Sequence, residues 1–200
     1  MRHLVIIGPQ GAGKGTQAER IAPRFGLVHL ATGDLFRALM KQDSELSQRV
    51  RGFVDRGDLV PDDVTAEVLF DALDDAAQGR ETPVGALFDG FPRNRSQAET
   101  LDRRLAERGE ELVGVIHLQV PQPVLEERIA GRAAAEGRSD DTPEVIRRRL
   151  EIYFSETEPL LDLWRERGIV LDIDGDQSID AVTAEIEEAV RENLALAKAT

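Results

Sequence analysis

A short apolar run, His3-Leu4-Val5-Ile6-Ile7, breaks directly into Gly8-Pro9-Gln10-Gly11-Ala12-Gly13-Lys14-Gly15-Thr16. This is a strand, a glycine-rich turn and a helix start without a spacer, and no other stretch limits the fold so severely. Glycines let backbone N–H groups converge on an anion, and the start of a helix adds partial positive charge. A triphosphate matches such a cradle best, with Lys14 reaching its outer phosphates. Of the 25 basic residues only Lys14, Lys41 and Lys198 are lysines, so a lysine inside this turn stands out. The pattern G-x-x-x-x-G-K-[ST] is broken at one position, because Gly15 follows Lys14 and the hydroxyl arrives at Thr16.

Further apolar runs bounded by turn residues recur near 27–31, 86–89, 113–119 and 169–173, with helical periodicity between them. This alternation predicts an α/β fold, a five-stranded parallel sheet with helices on both faces. Two regions interrupt the rhythm. Residues 32–80 carry several helical segments without a strand, which predicts a helical insertion. Residues 131–142 break two helices with charge and glycine and read as a short flap. Thr142 then caps a new helix with Pro143 at its first position. Near the end Ser178 can cap a helix whose apolar stripe is Ile179, Val182, Ile186, Val190 and Leu194. Two hundred residues suit a single domain. Its expected parts are a core (1–31, 61–130 and 143–200), an insertion (32–60) and a lid (131–142).

Composition removes several classes of function. There is no cysteine, so disulfides, thiolate metal ligands and thiol catalysis are out. A net charge of −13 argues against a general nucleic-acid binder. No run approaches the roughly 18 apolar residues of a membrane span. With no charged segment and apolar stretch of secretory type at the start, a cytoplasmic protein is expected.

Three more clusters carry chemistry. Asp89, in Phe88-Asp89-Gly90-Phe91-Pro92-Arg93, ends an apolar strand beside the phosphate loop, the usual place for a carboxylate turned toward Mg²⁺ through water. Thr32-Gly33-Asp34-Leu35-Phe36-Arg37 opens a helix straight after the second strand, with Thr32 as its cap. It offers a second anion site at the sheet edge where open α/β sheets place ligands. Arg128, Arg132, Arg138 and Arg149 flank and enter the flap, and several guanidinium forks converge only around a highly charged ligand.

Together these segments resemble the nucleoside monophosphate kinases, the adenylate kinases above all, and the glycine after the lysine is itself a habit of that family. The flap, with no cysteine zinc site, is similar to the short-lid form. The resemblance implies reversible phosphoryl transfer from MgATP to AMP, giving two ADP, in a monomer that needs Mg²⁺ and no structural zinc. It places Gly11, Ala12, Gly13, Lys14, Gly15 and Thr16 around the ATP phosphates, Arg128 on the adenine, and the Gln177 backbone beside it. AMP would be held by Thr32, Arg37, Asp58, Leu59, Val60, Gly90, Phe91, Pro92, Arg93 and Gln97, the glutamine reading the base edge. Arg132, Arg138 and Arg149 would bind phosphates, and with Lys14 and Arg93 they form the expected catalytic cations; Arg138 and Arg149 also reach AMP. Asn94 stands where adenylate kinases usually carry threonine, and asparagine there is common in pyrimidine-specific relatives. A pyrimidine or broad-specificity monophosphate kinase is therefore the alternative, with a non-kinase ATP-binding switch behind it. The three histidines have no expected role: His3 and His117 fall in strand-like runs and His29 reads as structural.

Overall fold

The computed structural model describes residues 1–79, 83–136 and 142–196, with 130, 132–136 and 194–196 given by backbone alone. Five strands, β1 (Arg2–Ile7), β2 (Leu27–Ala31), β3 (Gly85–Asp89), β4 (Glu111–Gln119) and β5 (Val170–Asp174), form one sheet in the order β2-β3-β1-β4-β5. Every pairing is parallel. All five strands fall on the apolar runs of the sequence. The inner strands β1, β3 and β4 are buried on both faces and so read as apolar stretches with little alternation, whereas edge strand β5 leaves Asp172 and Asp174 exposed.

Central β1 shows how the two cores divide. Val5 and Ile7 join a cluster with Leu69 and Phe70 of α4 (Asp62–Ala77), Leu101 and Leu105 of α5 (Arg95–Glu107) and Trp164 of α8 (Leu160–Glu166). Leu4 and Ile6 point the other way, to Ala18 and Ile21 of α1 (Lys14–Arg24), Leu125 of α6 (Gln122–Glu136) and Val182, Ile186 and Val190 of α9 (Ile179–Leu196). Ser178 does cap α9, accepting from the Ala181 amide. Of the expected stripe, Ile179 is exposed, while the Leu194 side chain lies outside the described residues.

The strandless region holds α2 (Thr32–Leu39), α3 (Glu45–Val54) and then α4. Phe36, Val50 and Val60 make a small apolar cluster of their own there, apart from both faces of the sheet. Beyond the sheet, α6 continues through Glu136, so the first six residues of the expected flap extend that helix; 137–141 lie outside the described residues. Thr142 then caps α7 (Pro143–Ile152) through its side chain, with proline at the start of the helix. A single π-helical turn, Tyr153–Thr157, joins α7 to the short segment before α8. Among the described residues no helix is long and apolar enough to cross a membrane.

The connection from β1 runs to β2 on one side, while that from β3 runs to β4 on the other. The crevice between the carboxyl ends of β1 and β3 is thus the switch point, where ligands bind in open α/β sheets.

Candidate active site

At that crevice lies a cleft of about 780 Å³, within the usual range of roughly 300–1,000 Å³ for small-molecule sites. The phosphate loop forms one wall. Gly13 stands at the head of α1 with φ +91° and no side chain to cap the helix, and the first turn carries no acidic residue. The leading N–H groups of α1 therefore face the cleft uncapped by any side chain, in an anion-binding pose. Gly11 also has φ +87°, and a Cβ there would come within 2.9 Å of Ile129 on α6. Lys14 folds back over the loop, its Nζ donating to the Gly8 and Pro9 carbonyls at 2.7 and 3.0 Å.

Asp89 closes β3 directly beside α1. His29 Nε2 lies 3.5 Å from its Oδ2. Burial works to raise the Asp89 carboxyl, yet the His29 imidazole, Lys14 and Arg93 outweigh it and hold the group below its ordinary value. A carboxylate kept ionised at the cleft floor, with the Thr16 hydroxyl also on the lining, is a hard-oxygen donor set of the kind Mg²⁺ accepts. Among the described residues no three His, Cys, Asp or Glu side chains are grouped to hold a metal by themselves. The fit is therefore to a cation that keeps water and phosphate ligands, as Mg²⁺ does beside a nucleotide.

Across the crevice stands the second wall. Gly90, with φ +80°, allows a close approach: a Cβ would lie 2.6 Å from Thr32 Oγ1 and 2.9 Å from Arg93 Nη2. Thr32 is not the cap of α2, contrary to expectation. Ala31 occupies that position, and the Thr32 hydroxyl instead donates to the Gly90 carbonyl at 3.1 Å, tying α2 to the loop after β3. Arg37 pairs with Asp34 at 2.5 Å. Arg93 donates from Nε to Gly90 O at 2.8 Å. Burial foremost, and then neighbouring Arg149, push its guanidinium down, with Asp89 acting in the opposite sense. Two cations forced together in a partly buried cleft gain from an anion between them.

Most of the expected residues meet here. Gly11 to Thr16, Arg128 and Gln177 are on the lining. So are Thr32, Arg37, Asp58, Leu59 and Val60, with Gly90, Pro92, Arg93, Gln97 and Arg149. Arg128 donates to the Gly175 carbonyl at 3.0 Å, which ties α6 to the loop bearing Gln177. The Phe91 side chain is not in the cleft; it is buried in the core beside Phe88. Arg132 sits on α6 with its side chain outside the described residues, and Arg138 lies outside them altogether. Asn94 caps α5, accepting from the Gln97 amide at 2.8 Å, and is absent from the cleft lining. Its side chain caps that helix and does not itself reach the cleft.

Among the lining residues that were not foreseen are His29, Tyr153 and Thr157. The Tyr153 hydroxyl is buried without a hydrogen-bond partner among the described residues, and burial, reinforced by Glu158, pushes it well up. Thr157 donates to the Arg93 carbonyl at 2.6 Å. Their signal in the sequence is weak, since a lone His, Tyr or Thr has no spacing to mark it.

A phosphate loop, an aspartate at the end of the neighbouring strand and a facing guanidinium wall define a P-loop nucleotide-binding phosphotransferase. The family model for adenylate kinase matches residues 6–169. The chain is 45% identical over 188 residues to the adenylate kinase of Caulobacter sp. (strain K31), covering 94% of this chain and 97% of that protein. It is 44% identical over 190 residues to the adenylate kinase of Micrococcus luteus, covering 95% and 91%. The enzyme of that name from Thermus thermophilus is 44% identical over 187 residues, covering 94% and 96%. The chain belongs to the adenylate kinase family.

Proposed function

We propose that this cleft transfers the terminal phosphoryl group of ATP to AMP, reversibly, giving two ADP. The observation that carries the reading is one continuous crevice with an N–H-lined phosphate loop on one wall and Arg37, Arg93 and Gln97 on the other. The bond from the terminal phosphorus to the ADP bridging oxygen breaks as the AMP phosphate oxygen bonds to that phosphorus. Such transfer needs alignment and charge stabilisation more than acid–base chemistry.

Lys14 exchanges the Gly8 and Pro9 carbonyls for the outer phosphates of ATP. Arg93 and Arg149, already crowded together, receive the transferring group between them, and Arg132 and Arg138 join from the lid. Arg128 lies against the ATP base beside the Gln177 backbone. The AMP phosphate meets Arg37 and Arg93, and the backbone of Asp58, Leu59, Val60 and of Gly90 to Pro92 frames the nucleoside. Mg²⁺ bound with ATP neutralises charge on its phosphates; Thr16 and, through water, Asp89 would hold it.

The insertion (32–60) and the lid (131–142) close over the two nucleotides and exclude water, which would otherwise hydrolyse ATP. The separate apolar cluster of the insertion supports its moving as a unit. The exposed acidic surface disfavours nucleic acid, and the protein acts as a monomer.

Incubation of the chain with MgATP and AMP, CMP or UMP in parallel tests the reading. ADP formation fastest with AMP is expected. A faster reaction with CMP or UMP would overturn the acceptor assignment, and ATP binding without transfer to any of the three would overturn the kinase itself.

A further inference from the structure

Behind Gln97 lies a hydrogen-bond chain whose orientations are fixed by backbone amides. Amide O and N positions are ordinarily ambiguous, but a backbone N–H can only donate. The Gln97 amide faces Asn94 at 2.8 Å, so that atom is Asn94 Oδ1, and Nδ2 is what lies 3.1 Å from Asp62 Oδ1. The Arg93 amide faces the Gln97 side chain at 2.8 Å, so that atom is Oε1, and Nε2 donates to the same Asp62 oxygen at 2.8 Å. One carboxylate oxygen, on the first residue of α4, thus accepts from both side-chain amides. Gln97 is 2% exposed and lines the cleft, whereas Asp62 stands behind it, off the lining.

We propose that Asp62 is a positioning residue that determines acceptor specificity: by fixing the Gln97 amide in one of its two orientations, it makes the site select a 6-amino purine over a 6-oxo purine. The inference rests on the reading that Gln97 meets the acceptor base. A 6-amino purine presents an N–H donor at position 6 and an acceptor at N1. A 6-oxo purine presents the reverse, an acceptor at position 6 and a donor at N1. A freely turning glutamine serves either edge, because a half-turn exchanges its oxygen and nitrogen.

Gln97 is not free to make that half-turn. Turned over, its oxygen would meet the Asp62 carboxylate and its NH₂ would meet the Arg93 N–H. Two buried hydrogen bonds become two like-with-like contacts. In the fixed orientation, the second lone pair of Oε1 and the second hydrogen of Nε2 remain for the base, the complement of a 6-amino edge. The wrong edge is rejected by groups that never touch it.

AMP and inosine 5′-monophosphate differ only at this edge, and their kcat/KM values with saturating MgATP give the test. The wild-type chain is expected to favour AMP. Asp62→Ala removes the acceptor, and Asp62→Asn supplies either partner, so each lowers the AMP-to-inosine-monophosphate ratio about tenfold or more. Asn94→Ser keeps an oxygen to cap α5 and removes only the donor to Asp62, so it gives a smaller fall in the same direction. The KM for ATP stays at its wild-type value in all three.

An unchanged ratio in soluble Asp62→Ala or Asp62→Asn protein overturns the proposal, and so does a fall in Tm without a change in the ratio. Gln97→Leu separates the two layers of the argument. If it erases the preference while the Asp62 variants do not, Asp62 is merely structural. If it leaves the preference intact, the assignment of Gln97 to the base has failed.

Discussion

Thr157→Val isolates a contact that links the π-helical turn to the reaction cleft. Arg93 is gripped at three points: its amide by Gln97 Oε1, its Nε by the Gly90 carbonyl, and its own carbonyl by the Thr157 hydroxyl at 2.6 Å. Thr157 is buried, and valine has nearly the same shape but no donor. Leaving a buried acceptor short of its partner costs about 1–3 kcal/mol. The methyl that replaces the hydroxyl recovers up to about 0.8 kcal/mol through burial. A net loss of about 1 kcal/mol remains at the centre of that range, a drop of about 2–4 °C in Tm for a chain of this length.

The same change frees the backbone that carries the Arg93 guanidinium. The KM for AMP is expected to rise about three- to tenfold, equivalent to roughly one weakened hydrogen bond, while the KM for ATP stays constant. Thermal melts and initial rates with AMP varied read the two effects separately. A wild-type Tm would show that the bond contributes nothing. A lowered Tm with an unaltered AMP KM would confine Thr157 to structure and refute the link to Arg93.

Lys14→Met keeps the stem and deletes the charge, and is expected to lower kcat about 10²- to 10³-fold, as loss of one transition-state donor does; rapid-quench measurement of ADP formation checks it. Asp89→Asn keeps the shape of a carboxylate that its neighbours hold ionised, so the Mg²⁺ needed for half-maximal rate is expected to rise about 10- to 100-fold; a Mg²⁺ titration that superimposes on the wild type would exclude Asp89 from that role. Acid stability reads His3, whose Nδ1 accepts from the Ala86 amide while Nε2 contacts Glu110. Burial foremost, against the opposing pull of Glu110, puts its folded-state value below the ordinary 6.5. The unfolded chain then binds the proton first, so stability is full above 6.5 and falls as pH drops below it toward the folded value. In His3→Gln, which cannot titrate, urea midpoints are expected to lose that decline below about pH 6.5; parallel curves for the two proteins would refute it.

What the chain discloses, and what it hides, follows the range of the interactions. The phosphate loop is legible because its requirements are local: a buried strand, glycines at positive φ and a lysine all fall within a few residues. The three inner strands are legible because burial on both faces leaves a nearly unbroken apolar record, and the two edge strands because short apolar runs stand between turn residues. Thr32 misleads for a local reason, since threonine before a helix is a good cap, but here a tertiary acceptor, the Gly90 carbonyl, takes its hydroxyl. Phe91 does two things the sequence does not separate, since it sits inside the Gly90-to-Arg93 motif while its ring serves the core.

The contacts that tune the site join distant segments. Asp62 and Gln97 are 35 residues apart, and Arg93 and Thr157 are 64 apart. No period or spacing marks such pairs, and each residue alone has an ordinary local explanation: Asp62 suits the start of α4, and Asn94 suits the cap of α5. Their second task arises only when α4 packs against α5 and brings the two helix starts together. In this fold the phosphate chemistry is written in local sequence, whereas acceptor discrimination is carried by helix starts that become neighbours once the chain has folded.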